Sequence, residues 1–213
     1  TYDELRLATA YLYMKPWFGF HSTRLFAMGD ARGNNIYGDN NNETGYAPYC
    51  LFTDKPNTPG LADAWNSLYI VVTQADYIIN DYAPQGRQHF SEAQANACEG
   101  EARFMRAAAY YYLASYWHDV PIMENPIAHT EAFNMAPTRF EDVIRYGIRD
   151  LEYAAEWLPL ADADGRVTRY SALGLLARYY VTLAAYARGG HCTQATMDYY
   201  EASGSHAVSY THL

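Results

Sequence analysis

Helical hydrophobic periodicity is the feature that most limits the folds open to this chain. Between residues 60 and 188, apolar side chains recur at spacings of three and four, as at Ala64, Leu68, Val71 and Ala75. This spacing places them on one face of an α-helix. Nowhere do apolar and polar residues alternate convincingly, as they would in a half-buried strand. The sequence therefore predicts an all-α fold.

Helix start and stop signals divide this pattern into segments. Capping boxes open at Thr1, Ser91 and Thr138, and Thr168 caps a further helix. The predicted helices span 2–14, 60–82, 92–117, 139–158 and 168–188. Because the connections in the second half are short, we expect tetratricopeptide-like antiparallel hairpins, one formed by the second and third helices and one by the last two.

Residues 15–59 lack this periodicity. Glycine and asparagine are frequent, as at 33–35 and 39–42, and eight aromatic residues lie between Trp17 and Phe52. Long loops without structure of their own are uncommon in compact domains and are usually functional or disordered. The aromatic content favours order, so we predict a long irregular functional loop before the main helices.

The inward helical stripes predict a structural core that includes Trp65, Phe104, Tyr111, Ile148, Leu151 and Leu176. Glu99 and Arg103 are spaced i and i+4, which is typical of a surface ion pair. Arg103 and Arg106 are three apart and have two interpretations. They flank the helix as exposed charges, or they hold carbonyl or carboxylate groups of a neighbouring segment through bidentate contacts.

Charge and composition exclude several functional classes. Among 213 residues, 24 acidic side chains against 15 basic ones give a formal charge of −9, and only Lys15 and Lys55 are lysines. A protein that binds nucleic acid should carry a basic stripe, so we expect no nucleic-acid partner. No apolar run approaches the roughly 20 residues needed to span a bilayer. The 22 tyrosines suit cores, wet interfaces and sugar-stacking sites.

Enzyme and metal motifs are not found in the sequence. It contains no phosphate-binding glycine loop, no HExxH and no GxSxG, and its three cysteines are far apart. The DADG run at 162–165 starts like a calcium loop but lacks the required later glycine and glutamate, so we interpret it as the loop before Thr168. His118–Asp119 has two interpretations, a base with its orienting group or a helix-end dipole partner. We expect no catalytic residues, metal or cofactor.

Several short blocks in order resemble one known family. They are AW and LY within 64–69, GEARFMRA at 100–107, YYYL at 110–113, DVP at 119–121, DLEYA with LP in 150–159, and GRVTRYSA with LLAR in 165–178. Together they resemble the SusD/RagB family of glycan- and nutrient-binding outer-membrane lipoproteins. The resemblance covers about residues 60 to 188 in both order and spacing.

This resemblance implies a tetratricopeptide-like scaffold whose loops bind an oligosaccharide without breaking a bond. It also implies a SusC-like TonB-dependent transporter as partner, a location at the outer-membrane surface, and a lipid anchor that this chain does not carry. In the family, an aromatic residue and polar neighbours before the tryptophan-containing helix contribute to glycan binding. On chemistry we select Tyr37 as the stacking platform, with Asp30, Arg32, Asn34 and Asn35 as hydrogen-bonding partners. The alternative is that Tyr37 only pins the loop onto the helices.

Family members are usually more than twice as long as this chain. We therefore expect residues 1–202 to be a partial SusD-like helical domain, and residues 203–213 to be a non-native or disordered tail that resembles a cloning scar. Two other functions remain open at this point. One is an intracellular helical-repeat scaffold that binds peptides, and the other is an (α/α) glycoside hydrolase, which would need two carboxylates about 5–10 Å apart in a cleft.

Overall fold

The computed structural model describes residues 2–14, 17, 19–36, 46–125 and 135–193. Its helices are α1 (Tyr2–Ala10), α2 (Ala47–Cys50), α3 (Leu61–Tyr77), α4 (Ala83–Gly86), α5 (Glu92–Trp117), α6 (Phe140–Trp157) and α7 (Arg169–Arg188). Three π-helical segments lie at Phe20–Arg24, Ala27–Ala31 and Ile78–Tyr82, and a 3-10 turn follows α1 at Tyr11–Tyr13. Within these ranges the only β-type pairing is an isolated bridge between Val120 and Thr138. The predicted all-α class is confirmed.

Helix α5 is the centre of the fold, because it packs on α3 on one side and on α6 on the other, while α7 packs on α6. The two predicted hairpins are therefore present. Of the predicted core residues, Ile148, Leu151 and Leu176 are buried. Trp65, Phe104 and Tyr111 are only half-buried and lie against the edge of the core.

Two of the predicted helix caps form as expected. The Ser91 hydroxyl accepts a hydrogen bond from the Gln94 amide at 3.3 Å, and the Gln94 side chain accepts one from the Ser91 amide at 3.2 Å. At the start of α7, the Thr168 amide donates to the Ser171 hydroxyl at 3.1 Å. These bonds satisfy backbone donors that lack partners in the first helical turn.

The capping box predicted at Thr138 is wrong. The Thr138 backbone pairs instead with Val120, through hydrogen bonds of 3.0 and 3.1 Å, and Arg139 precedes α6 without a side-chain cap. Asp119 supplies the missing acceptor from the end of α5, since its Oδ1 accepts from the Phe140 amide at 2.8 Å and lies 2.7 Å from His118 Nδ1. His118 and Asp119 thus join α5 to α6.

The irregular stretch predicted before the main helices is corrected over part of its length. Residues 20–31 are helical, but mostly with π-type hydrogen bonding. A π-helix has more residues per turn than an α-helix, so its apolar residues do not recur at the spacing that the sequence search used. Gly19 allows this segment to lie close to α3, because a Cβ there would lie 2.5 Å from the Ser67 hydroxyl.

Helix α1 is anchored by charged groups that lie far away in sequence. Arg6 Nη2 donates to Asp162 Oδ2 at 2.6 Å. Arg166 Nη1 donates to the Thr9 hydroxyl and to Glu101 Oε2, both at 2.7 Å. The loop at 162–166 therefore fastens α1 to α5, which confirms that the DADG run belongs to the loop before α7.

The prediction that Glu99 and Arg103 form a surface pair is wrong. Glu99 is buried, and its carboxylate accepts from Arg103 Nε at 2.7 Å and also from Arg87. The i, i+4 spacing could not predict this burial, because the additional partner, Arg87, lies outside the helix that carries the pair. Of the two interpretations of Arg103 and Arg106, the structure shows the one in which both hold carboxylates of neighbouring segments.

Candidate functional site

Two adjoining depressions form an open cleft where the start of α3 meets the end of α5. They share Asp54, Leu61 and Tyr116, and their volumes are about 310 and 640 Å³. The other lining residues are Met28, Arg32, Tyr49 and Ser115 in the smaller depression, and Lys55, Pro56, Ala62, Trp65 and Trp117 in the larger one. We call the two depressions together the aromatic cleft. Both volumes lie in the range of small-molecule sites.

Half-buried aromatic rings form one wall of the aromatic cleft. The rings of Trp65 and Trp117 are 5.3 Å apart and nearly perpendicular, with an interplanar angle of 82°. Tyr116 lies 6.1 Å from Trp117 in an edge-on contact. Such edge-to-face pairs are favourable arrangements of aromatic rings, and they hold each ring in a fixed orientation. The wall thus offers rigid apolar surface to a ligand.

Tyr69 ties together the two helices that carry this wall. Its ring packs on Trp65 at 4.8 Å, and its hydroxyl donates to the Pro121 carbonyl at 2.8 Å. Burial raises the pKa of the Tyr69 hydroxyl well above its ordinary value, so the group stays a donor. The bond joins α3 to the segment after α5 and so fixes the spacing of Trp65 and Trp117.

Charged side chains also line the aromatic cleft and form what we call its rim, namely Arg32, Asp54 and Lys55. Arg32 Nη1 donates to Asp54 Oδ1 at 2.7 Å, and its guanidinium lies 5.1 Å from the centre of the Phe52 ring. The turn that carries Asp54 and Lys55 is closed by Thr58, whose hydroxyl accepts from the Lys55 amide at 2.7 Å. The rim therefore presents a carboxylate, a guanidinium and an ammonium group beside the aromatic wall.

Gly60 determines how this turn enters α3. Its φ is +95°, a left-handed conformation that favours glycine. A Cβ at this position would lie 2.3 Å from the guanidinium carbon of Arg24, which in turn contacts Asp63 at 3.4 Å. A side chain at this position would strain the backbone and displace the Arg24 guanidinium from its place beside the start of α3.

The sequence-predicted site residues divide into three groups. Arg32 lines the aromatic cleft. Asp30, Asn34 and Asn35 lie in the turn next to it, where the Asn35 amide donates to the Asp30 carbonyl at 2.9 Å and Asn34 has a φ of 60°. Tyr37, the predicted stacking platform, lies outside the described residues.

Sequence reasoning missed the aromatic wall itself. Trp65 was predicted to be a core residue, and Trp117 was predicted only as the end of a helix. One feature of the sequence could have revealed it. When two neighbouring helices run antiparallel, a residue near the start of the first lies beside a residue near the end of the second, as Trp65 and Trp117 do. Asp54 and Lys55 gave no such signal, because they lie in the proline-containing segment between the loop and α3.

The arrangement suits recognition of a sugar. A pyranose ring presents apolar C–H faces and a rim of hydroxyl groups, so it needs flat aromatic surface next to planar polar groups. The aromatic cleft provides Trp65 and Trp117 for the first requirement, and Arg32 and Asp54 for the second. Within the described ranges, no group of three His, Cys, Asp or Glu side chains could hold a metal ion.

Comparisons with known proteins point in the same direction. A family model described as starch-binding and associating with the outer membrane, SusD-like_3, matches residues 21–181, which include every residue of the aromatic cleft. A SusD-like protein of Bacteroides ovatus is 34% identical over 191 residues, which are 89% of this chain and 34% of that protein.

Solved structures show the same fold. A crystal structure determined with xylogluco-oligosaccharide is similar with a TM-score of 0.74 and 33% identity, over 83% of this chain and 34% of that one. A SusD superfamily protein of Bacteroides vulgatus has a TM-score of 0.77 at 21% identity, over 88% of this chain and 41% of that one. At that identity the likeness concerns the fold alone. The chain thus spans about a third of the length of the first two relatives.

Proposed function

From the premise that the chain belongs to the SusD-like family, we propose that it binds an oligosaccharide in the aromatic cleft. The observation that carries this proposal is that Trp65, Tyr116 and Trp117 line the same cleft as the Arg32–Asp54 pair. The similarity to a protein crystallised with xylogluco-oligosaccharide supports the same class of ligand.

The wall and the rim have different roles in this proposal. Sugar rings stack on the indoles of Trp65 and Trp117, which provides apolar contact that does not depend on individual hydroxyl groups. Arg32 and Asp54 then hydrogen-bond hydroxyl groups at the edge of the ring and so select their arrangement. The rings are already oriented by their neighbours, so little side-chain freedom is lost on binding.

The turn at 30–36 forms the extension of this site. Arg32 contacts the ligand directly, while Asp30, Asn34 and Asn35 hold the turn and add polar groups beside it. Tyr37 is proposed as a further stacking residue on the basis of sequence alone, because it lies outside the described residues.

We propose further that the protein acts at the outer-membrane surface and passes its ligand unchanged to a SusC-like TonB-dependent transporter. This part of the proposal rests on membership of the family, whose description includes association with the outer membrane. Within the described ranges, no helix has the length and apolar character needed to cross a bilayer.

The proposal is tested by replacing Trp117 with Ala and measuring oligosaccharide affinity by isothermal titration calorimetry, with starch- and xyloglucan-derived oligosaccharides as probes. Loss of one stacking ring should weaken binding at least tenfold, or about 1.4 kcal/mol. Trp157→Ala is the matched control, because Trp157 is also a half-buried tryptophan at the last position of a helix, α6, but lies outside the cleft.

Equal affinities of the two variants would contradict the proposed site. Incubation of the unmodified protein with each polysaccharide, followed by an assay for new reducing ends, separates binding from hydrolysis. We expect no new reducing ends, and their appearance would overturn the proposal that the ligand is passed on unchanged.

A further inference from the structure

A second concave surface lies among the π-helical segment Ile78–Tyr82, α5 and α6. It is a cavity of about 280 Å³, and the side chains on its wall that matter here are Asn80, Arg103, Arg106, Tyr146, Arg149 and Asp150. It shares no lining residue with the aromatic cleft. Along α5, Arg106 lies about 16 Å from Trp117 at the rise of an α-helix. We call this second surface the arginine cavity.

Arg106 is buried and held in one orientation. Its side chain is 5% exposed, and its Nε and Nη2 donate to the two oxygens of Asp150, both at 2.7 Å. Its Nη1 donates to Asp76 Oδ1 at 2.6 Å, and its guanidinium stacks over Tyr146 at 4.9 Å. A guanidinium has five N–H donors, and these bonds use three of them, so Arg106 keeps donor capacity on the wall of the cavity.

Arg103 is fixed in a similar way. Its Nη1 donates to Asp150 Oδ1 at 2.9 Å and its Nε to Glu99 Oε1 at 2.7 Å. Its guanidinium lies over the Tyr153 ring at 4.4 Å. Ligand binding would therefore not have to order Arg103 or Arg106, which removes an entropic cost that flexible arginines carry.

Arg149 differs from the other two arginines. It is exposed on α6, and within the described ranges no carboxylate pairs with it. Three arginines line the cavity together with two carboxylate side chains, Asp150 and Glu124. The charges of Arg103 and Arg106 are already offset by the carboxylates bonded to them, namely Glu99, Asp76 and Asp150. The exposed guanidinium of Arg149 is thus the charged donor that a ligand would meet first.

We propose that the arginine cavity binds a compact oxyanion group, namely a carboxylate, sulfate or phosphate, between Arg149 and the fixed guanidinium groups of Arg103 and Arg106. Planar guanidinium groups match the oxygen spacing of such anions and form charge-assisted hydrogen bonds with them. The Tyr146 hydroxyl adds a donor on the wall, since burial raises its pKa and keeps it protonated.

The oxyanion has two sources that share this chemistry. One is a free inorganic ion, and the other is an acidic substituent on a sugar. The cavity is built from residues outside the aromatic cleft, so the proposal does not depend on glycan binding there.

The test is isothermal titration calorimetry of the full chain at constant ionic strength, with sodium chloride as the background salt. The probes are sodium sulfate, sodium phosphate, sodium acetate and sodium glucuronate. Arg149→Gln is the test variant, because Arg149 is exposed and its replacement leaves the buried bonds intact. Arg188→Gln is the matched control, as Arg188 is an exposed arginine at the end of α7.

We expect saturable binding of at least one probe, weakened about tenfold by Arg149→Gln and less than about twofold by Arg188→Gln, since one charge-assisted hydrogen bond accounts for a change of that size. Saturable binding of glucuronate assigns the site to acidic sugars, and binding of the inorganic ions alone assigns it to a free ion. No saturable binding of any probe, or equal affinities in all three proteins, overturns the proposal.

Discussion

Two arginine–aspartate pairs in this molecule have the same chemistry and opposite surroundings. Arg106–Asp150 and Arg32–Asp54 each include a contact of 2.7 Å. The side chains are 5% and 2% exposed in the first pair, but 41% and 23% exposed in the second. The first pair joins α5 to α6 inside the helical core, and the second lies on the rim of the aromatic cleft.

The comparison shows that the effect of an arginine–aspartate bond on stability depends on how deeply the pair is buried. A buried pair gains little net stability when intact, but removing one partner leaves the other as an uncompensated buried charge. An exposed pair contributes at most about 1 kcal/mol, because water and salt screen it. The buried pair therefore determines where the helices lie, while the exposed pair can exchange its bond for bonds to a ligand.

The largest expected effect comes from breaking the buried pair with Arg106→Met. Asp76 and Asp150 would lose their main partner, and we expect the free energy of unfolding to fall by about 3–5 kcal/mol. Urea denaturation followed by circular dichroism measures this. Arg188→Met is the control and should change stability by less than about 0.5 kcal/mol. A fall of less than about 1 kcal/mol in Arg106→Met would contradict the role given to the pair.

The second largest expected effect is a pH dependence of the free energy of unfolding, caused by Asp76, which is bonded to Arg106. Burial raises the pKa of Asp76 to about 7 against an ordinary value of 3.8, although Arg106 opposes the shift. A carboxyl group that binds its proton more tightly in the folded state stabilises the fold at acid pH. That contribution is lost as pH rises from about 4 to 7, with a slope of at most about 1.4 kcal/mol per pH unit.

Asp76→Asn should remove this slope. The measurement is the free energy of unfolding of both proteins at several pH values, and the difference between them isolates Asp76 from other titrating groups. Asp119 and Asp162 have lowered pKa values and contribute with the opposite sign, but equally in both proteins. A difference that stays constant between pH 4 and 7 would show that Asp76 is charged throughout.

A smaller effect is expected at Gly60, beside the exposed pair. Gly60→Ala should cost about 1–3 kcal/mol, because its φ of +95° is strained for alanine and the new Cβ would meet Arg24. Gly165→Ala is a matched control, since Gly165 has a φ of +85° but no atom within 4 Å of an added Cβ. Thermal unfolding of both variants separates the cost of backbone strain, which both share, from the cost of the contact with Arg24, which only Gly60→Ala has. Equal losses of stability in the two variants would mean that Arg24 moves aside freely.

The smallest effect on stability is expected at the exposed pair itself. Arg32→Gln should change the free energy of unfolding by less than about 1 kcal/mol. Oligosaccharide affinity should nevertheless fall, because a charged donor on the rim is lost. Calorimetric titration beside a denaturation curve measures both quantities. A large loss of stability with unchanged affinity would make this pair a structural one like Arg106–Asp150.

Sequence reasoning predicted the long helices well, because their ends carry local chemistry. Ser91, Thr168 and Gly60 mark helix starts in the sequence and do so in the structure. It failed at Thr138, because Asp119 caps that helix from the end of another element. It also failed at residues 20–31, where π-helical hydrogen bonding changes the period on which the prediction depends.

The aromatic cleft was anticipated less completely than the fold. Arg32, which lines the cleft, was selected from the sequence because polar residues in an aromatic-rich stretch already suggested a ligand. Its role in binding stays a prediction. Trp65 and Trp117 were missed as site residues because they lie on different helices, and only the packing of α3 on α5 places them side by side. Glu99 was misjudged for a similar reason, since its burial depends on Arg87 and on helix α6 rather than on its own helix.

The anchor of helix α1 has a consequence for the order in which the chain becomes stable. Arg6 and its partner Asp162 are separated by 156 residues. At a synthesis rate of about 5–20 residues per second, α1 leaves the ribosome roughly 10–30 s before the loop that fastens it. During that interval its apolar face and Arg6 lack part of their final contacts. The anchoring of α1 is therefore a late event, because it has to wait until the loop at 162–166 has been synthesised.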